Sequence, residues 1–276
     1  PAGRGRQMMP SAVKKYAVEH GLEVLQPPNL REEEFLETLK NFGADLFVVV
    51  AFRMLPEVVW KMPALGTINL HGSLLPQYRG AAPIHRAVMN GETVTGVTTF
   101  FIRQEIDTGA VIMQRSMDIG PDETTGEVHD RMMKMGAQVL VETVRLIEAD
   151  EAKAIEQDIL PADGGLKPAP KLFRDDCRIS FNAGAHQVHN FIRGLSPFPG
   201  AWFTADGKLF KVYRSKVAQT TSPSPGVIDS DGKTFLRIGC TEGCIELIEI
   251  QPEGKKRMDI MEFLRGVQQL PASVDK

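Results

Sequence analysis

Cysteine is scarce in this chain of 276 residues: only Cys177, Cys240 and Cys244 occur. Three thiols cannot all pair, and Cys240 and Cys244 have no companion ligands at zinc-site spacing. The expectation is free structural thiols, with neither a disulfide framework nor a metal site. Long apolar runs are also missing. The longest, residues 46–52, falls far short of the ~18 residues that a membrane helix needs, so no membrane span is expected. The basic residues of Pro1–Arg6 lead into no apolar core, which argues against a secretory signal and makes the cytoplasm the expected compartment. Neither sign of charge dominates, with 32 Lys and Arg against 35 Asp and Glu and a net charge of -3. The acidic excess lies in the first 170 residues and the remainder is mildly basic, a weak pointer to an anionic partner there. There is no internal repeat and no low-complexity tract.

What is present is an alternation of periods. Helical spacing marks residues 11–21, 31–41, 56–62, 82–90 and 124–147. Apolar runs at 22–25, 46–51 and 67–70, and β-rich runs at 95–103 and 110–117, read as strands. The continuous apolar character of 46–51 predicts a strand covered on both faces. Together these predict an α/β domain with a Rossmann-like, mainly parallel sheet over residues 1–160. Because the chain opens on a loop rather than a strand, the opening strands of that sheet are expected to be absent from it. Residues 161–170 turn rich in Pro, Gly and Asp and read as a linker. Beyond it, a helix near 183–193 and short runs spaced by turns predict a small β-barrel, OB-like, over residues 171–276.

The chemistry is expected around Asn69 and His71. Two residues apart at the end of a strand, they project to one side, and ligands of open α/β sheets bind outside the carboxyl ends of strands. An arbitrary Asn-x-His pair is more often a buried structural pair. Its setting here is unusual: the turn-rich frame Leu74–Ile84 follows, and Ile106-Asp107-Thr108-Gly109 lies between two β-rich runs. A carboxylate such as Asp107 can orient a histidine and keep it protonated, although an Asp before Gly is on its own more often a turn residue. Elsewhere, His186-x-x-His189 lacks a third ligand, and Met132, Met133 and Met135 read as helix packing.

The string Asn69-x-His71-x-Ser-Leu-Leu-Pro-x-x-Arg-Gly-Ala-Ala-Pro-Ile84, with Asp107-Thr-Gly, resembles the signature of the folate-dependent formyltransferases. Pro1-Ala-Gly-Arg-Gly with Met9-Pro-Ser, Lys171-Leu, Ile192–Pro199 and Gln251–Lys256 resemble the branch of that family acting on methionyl-tRNA. The likeness runs from Pro1 to about Leu270. It implies transfer of formyl from 10-formyltetrahydrofolate to the α-amine of methionine on initiator tRNA, by a cytoplasmic, monomeric enzyme of bacterial or organellar translation that needs no metal. Asn69 and protonated His71 would then face the developing oxyanion, and Asp107 would hold His71 and help remove the amine proton. By the same resemblance Ser73, Leu74, Leu75 and Pro76 line the folate site, with Phe52, Met54 and Leu55 as a further wall. Arg4 and Lys171 would contact tRNA, making residues 171–276 the tRNA-binding domain. As isolated residues, Arg4 is more often a flexible basic terminus and Lys171 a solvated surface side chain. Two rivals stay open: a formyltransferase acting on a free or nucleotide-linked amine, and a tRNA-binding module without activity.

Overall fold

A computed structural model describes residues 10–51, 53–161, 164–218 and 223–275. The first half contains α1 (Ala12–Glu19), α2 (Glu33–Asn41), β1 (Phe47–Val50), α3 (Glu57–Trp60), β2 (Thr67–His71), α4 (Pro83–Met89), β3 (Val94–Phe101), β4 (Val111–Asp118) and α5 (Thr125–Glu148). Ser11 caps α1 by accepting from Lys14 N, and Thr124 with Glu127 forms a reciprocal capping box on α5.

The four strands order as β1-β2-β3-β4. Only β1 and β2 run parallel; β2-β3 and β3-β4 are antiparallel, which corrects the expectation of a mainly parallel sheet. For the β3-β4 pair the reason is geometric: its connection is shorter than the dozen or more residues that a parallel crossover requires. Residues 22–25 form no strand. The expected full burial of β1 also fails, since Val48 and Val50 are half exposed and β1 pairs only with β2 among the described strands. On the opposite flank, α5 buries Val128, Met132 and Val139 against Val97, Ala87 and Val88, a core continuous with β3 and α4.

The second half contains α6 (Ala185–Gly194), β5 (Ala201–Ala205), β6 (Lys208–Ala218), β7 (Ile228–Ser230), β8 (Leu236–Gly239), β9 (Cys244–Pro252), β10 (Met258–Asp259) and α7 (Ile260–Arg265). Its antiparallel sheet runs β5-β6-β9-β8-β7, with β10 on β9. Alternating residues such as Val212, Ile238, Ile245 and Ile250 point inward onto Ile192, Leu195 and Phe263. The edges β7 and β5 are joined by the last residues: Ile228 N donates to Ala272 O (2.9 Å), Val274 N to Gly226 O (2.9 Å) and Asp275 N to Thr204 O (2.7 Å). All three cysteines are buried and free.

The two halves meet where the loop before α5 abuts α6. Arg193 is buried there, and its Nη1 donates to the carbonyls of Gly120 (3.1 Å) and Glu123 (2.9 Å). Thr125 Oγ1 donates to Gly194 O (2.7 Å), and His189 bridges Ser215 Oγ (3.2 Å) and Pro121 O (3.3 Å). A buried guanidinium is tolerable only when its donors are satisfied, so these carbonyls fix the approach of the halves. His189 thus works in packing, and no group of metal-binding side chains occurs among the described residues.

Candidate active site

Strand β2 carries both Asn69 and His71 on one face, and both line a cleft of about 1420 Å³. Apolar walls come from Met54, Leu55, Ile84, Val97, Met132 and Leu140, and the polar floor from Asn69, His71 and Asp107. Met132 both lines this cleft and belongs to the core, Met133 lines the cleft, and Met135 packs against the core.

His71 is buried at 6% exposure, and its orientation is set by one bond: Nε2 donates to the carbonyl oxygen of Tyr78 at 2.8 Å. A carbonyl can only accept, so that nitrogen carries a proton and Nδ1 is the nitrogen left for chemistry. Nδ1 stands 3.7 Å from Asp107 Oδ2. This is beyond hydrogen-bond range. The backbone at Tyr78, more than Asp107, therefore holds the imidazole.

Asp107 lies in the loop between β3 and β4 with φ of 55°, a left-handed conformation that aspartate tolerates better than most residues. Its Oδ2 accepts from Gly80 N at 2.9 Å. Two glycines make this possible. A Cβ on Gly109 would collide with the Phe101 carbonyl, and one on Gly80, whose φ is 125°, would sit 2.5 Å from Ala169 O.

Asn69 Oδ1 is buried without a hydrogen-bond partner among the described residues. An orphaned buried acceptor costs roughly 1–3 kcal/mol. In a cleft floor it marks a position made for a ligand group, with either end of the amide able to face it.

Several contributors escape sequence reasoning. Gln157 is buried and uses every hydrogen-bonding site of its amide. Nε2 donates to Asp107 O (2.9 Å) and Gly109 O (2.8 Å), while Oε1 accepts from Arg79 Nε (2.9 Å) and Nη2 (2.7 Å). Residues 165–169, expected to be a plain linker, instead form a strap along the site. Tyr78 N donates to Lys167 O (2.7 Å), Ala169 N to Arg79 O (2.8 Å) and Ala82 N to Ala169 O (3.1 Å). The strap thus pins the segment supplying both Tyr78 O and Gly80 N. Lys167 also pairs with Glu92, which receives the Tyr78 hydroxyl at 2.5 Å. Burial, reinforced by Glu92, pushes the Tyr78 hydroxyl far above its usual range. The backbone atoms in this web carry no residue-type signal; Gln157 is a lone polar residue fifty positions from Asp107.

Other expected residues are placed differently. Met54 and Leu55 line the cleft. Ser73, Leu75 and Pro76 are buried and Leu74 is half-buried, and none of the four lines it. Leu75 N donates to Thr98 Oγ1 (3.0 Å), Thr98 Oγ1 to Ser73 O (2.7 Å), and Gln114 Nε2 to Leu75 O (2.8 Å), so this turn is stitched to the sheet beneath the site. Lys171 is exposed, with its ammonium 5.5 Å from the Phe173 ring centroid. Arg4 and Phe52 lie outside the described residues. His85, which sequence reasoning did not select, lines the cleft and donates from Nε2 to Phe198 O at 3.0 Å; burial lowers its pKa below 6.5.

Comparison with known proteins bears on this geometry. The family described as Formyl transferase matches residues 1–144, and Formyl transferase, C-terminal domain, matches residues 171–268. A methionyl-tRNA formyltransferase of Bacteroides fragilis is 48% identical over 272 residues, 96% of this chain and 84% of that protein. Its counterpart in Porphyromonas gingivalis is 49% identical over 273 residues, with the same shares covered. Among solved structures, HypX from Aquifex aeolicus in complex with tetrahydrofolic acid superposes with a TM-score of 0.63 at 20% identity, covering 86% of this chain. This chain spans 42% of the HypX chain. WlaRD, a sugar 3N-formyl transferase with dTDP and 5-N-formyl-THF, gives 0.63 at 19% identity over 88% of this chain and 82% of its own. At such identities the two structures speak to the fold alone.

Proposed function

Because this chain belongs to the formyl transferase family and is a formyltransferase, we propose that it transfers formyl from 10-formyltetrahydrofolate to the α-amine of methionine on initiator methionyl-tRNA. The observation that carries this reading is the cleft floor, where an orphaned amide and an imidazole with a free Nδ1 share one strand face. An apolar cleft ending in such groups fits a flat heteroaromatic donor with a polar reactive end.

The donor supplies an electrophilic carbon whose oxygen becomes negative as an amine attacks. Asn69 and protonated His71 Nδ1 are the chain's groups for that charge, and fixed donors at a developing oxyanion are often the largest catalytic contribution. Asp107, through water, accepts the proton the amine gives up. That proton then serves the departing nitrogen when its bond to the formyl carbon breaks. Met54 and Leu55 form the donor's wall, and Ser73 to Pro76 support it from beneath; Phe52 as part of that wall rests on the sequence resemblance.

In this reading residues 1–160 are the catalytic domain, 161–170 the junction, and 171–276 an OB-like, barrel-type domain that meets the tRNA, with Lys171 near its 3′ end. Arg4 as a contact to the acceptor stem rests on the sequence resemblance. The enzyme acts as a monomer in the cytoplasm. Among the described residues no helix is long and apolar enough to cross a membrane.

The test is an acceptor competition with 10-formyltetrahydrofolate as donor. Initiator methionyl-tRNA should be formylated with a kcat/KM orders of magnitude above those of methioninamide and nucleotide-linked amino sugars. Reaction with the small amines alone would overturn the substrate assignment.

A further inference from the structure

The loop between α6 and β5 places an aromatic ring in solvent beside the cleft. Phe198 is 78% exposed, yet its backbone is firmly held. Ser196 O accepts from Gly126 N (3.0 Å), Pro199 O from Lys211 Nζ (2.9 Å), and Gly200 N donates to Leu195 O (2.9 Å). Phe198 O itself accepts from His85, a residue of the cleft wall. Prolines 197 and 199 flank the ring and restrict the backbone further. A large apolar side chain carried in water by so constrained a loop is a preorganised surface with no occupant among the described residues.

Its neighbours are basic and aromatic. Lys211, which anchors Pro199, sits opposite Trp202 in the β5-β6 pair. Arg174 and Arg178 each lie 5.8 Å from the Trp202 ring, and Trp202 Nε1 donates to Arg174 O at 2.9 Å. Phe173, 63% exposed, carries Lys171 over its ring, two residues beyond the strap that pins the active-site segment. Asp176 accepts from Phe173 N and, like Asp175, is exposed. Exposed rings interleaved with cations are how proteins grip unpaired nucleotides: bases stack on the rings and phosphates meet the charges.

We propose that Phe198 is a stacking platform for an unpaired base at the 3′ end of the aminoacylated tRNA, with Lys171 and Arg174 meeting the adjoining phosphates. The inference rests on the aminoacyl-tRNA substrate proposed above. The platform's backbone is bonded to His85 of the cleft wall, so a nucleotide stacked there lies beside the cleft whose floor takes the amine. Sequence recognition is not required of it, since every base offers a flat face.

The experiment measures steady-state formylation of initiator methionyl-tRNA at several salt concentrations by the full chain, Phe198→Ala, Phe198→Trp and Lys171→Ala. Phe198→Ala should raise KM for the tRNA roughly tenfold, the size of one base stack, without changing the salt dependence. Phe198→Trp should stay within about twofold of the parent. Lys171→Ala should reduce the slope of log affinity against log salt by about one. Formylation of methioninamide, which has no base to stack, should be indifferent to Phe198→Ala, as should the melting temperature. A tRNA KM within twofold of the parent for Phe198→Ala, or an equal loss on methioninamide, overturns the proposal. So does a concentration-dependent dimer of the parent that the alanine variant lacks, because a second copy would then own the ring. A parent that never formylates methionyl-tRNA refutes the substrate reading itself, an outcome distinct from all of these.

Discussion

Asn69 and His71 stand on a strand, whereas Asp107 stands on a loop, and the two sides of the cleft floor are built by different means. The strand residues owe their common facing to the two-residue period of β2 and its pairing with β1 and β3. The loop residue owes its position to distant groups: Gly80 N, the Gln157 amide and the strap at residues 165–169. A site carried half on a strand and half on a tethered loop should fail in two distinguishable ways.

The largest expected effect lies on the strand side. His71→Ala should lower kcat by two to three orders of magnitude, as loss of an oxyanion donor does elsewhere. Affinity for methionyl-tRNA should stay within a few-fold, measured by filter binding. Unchanged turnover would remove His71 from the chemistry.

A smaller loss is expected on the loop side. Gln157→Ala leaves two buried carbonyls and a guanidinium without partners, so kcat should fall roughly ten- to a hundredfold with little change in KM for the formyl donor. Stability should drop by about 1–3 kcal/mol. Gln157→Glu keeps the volume and the Arg79 contact but turns an acceptor toward Asp107 O and Gly109 O. If the glutamate variant matched the parent in kcat and pH profile, the loop would need no tether and the contrast would collapse.

The smallest effect is a pH response at the contact between the halves. Burial lowers the pKa of His189 below 6.5, with the backbone bond to Pro121 and the nearby Asp122 opposing it. Below pH 6.5 the unfolded chain takes up a proton that the folded one resists, so this contribution is fully present above that value and declines as pH falls through it. His85 acts in the same direction. Melting temperatures of the parent and His189→Gln at pH 8 and pH 5.5 should converge at the lower pH if the parent loses this contribution.

The same division explains what could be read in the sequence. Helices α1, α2, α4, α5 and α6 and the strands of the second sheet follow from periodicity and caps, because each is a local pattern; α5 and α6 also bury one face. The strand pair Asn69 and His71 is legible for the same reason. Strand direction was misread because alternation of helix and strand suggests a parallel sheet, although the short connection before β4 forbids one there. The strap was invisible: its bonds to Tyr78, Arg79 and Ala82 run through backbone atoms, and a Pro- and Gly-rich composition describes a strap as well as a tether. Gln157 was missed because a single glutamine has no pattern; only burial reveals that all its polar atoms are spent.

The closing of the second sheet by residues 272–275 has a consequence for the order of synthesis. A chain made from its N-terminus can pair β5, β6, β9, β8 and β7 before those last residues leave the ribosome. Until they do, β7 lacks its bonds to residues 272–274, and β5, whose Trp202 carbonyl already accepts from Ile179 N, lacks the bond at Thr204; unpaired edge groups of this kind are where strands of other chains add. The nascent protein therefore passes through an interval in which its second sheet has an unpaired edge. That interval ends when Asp275 reaches Thr204.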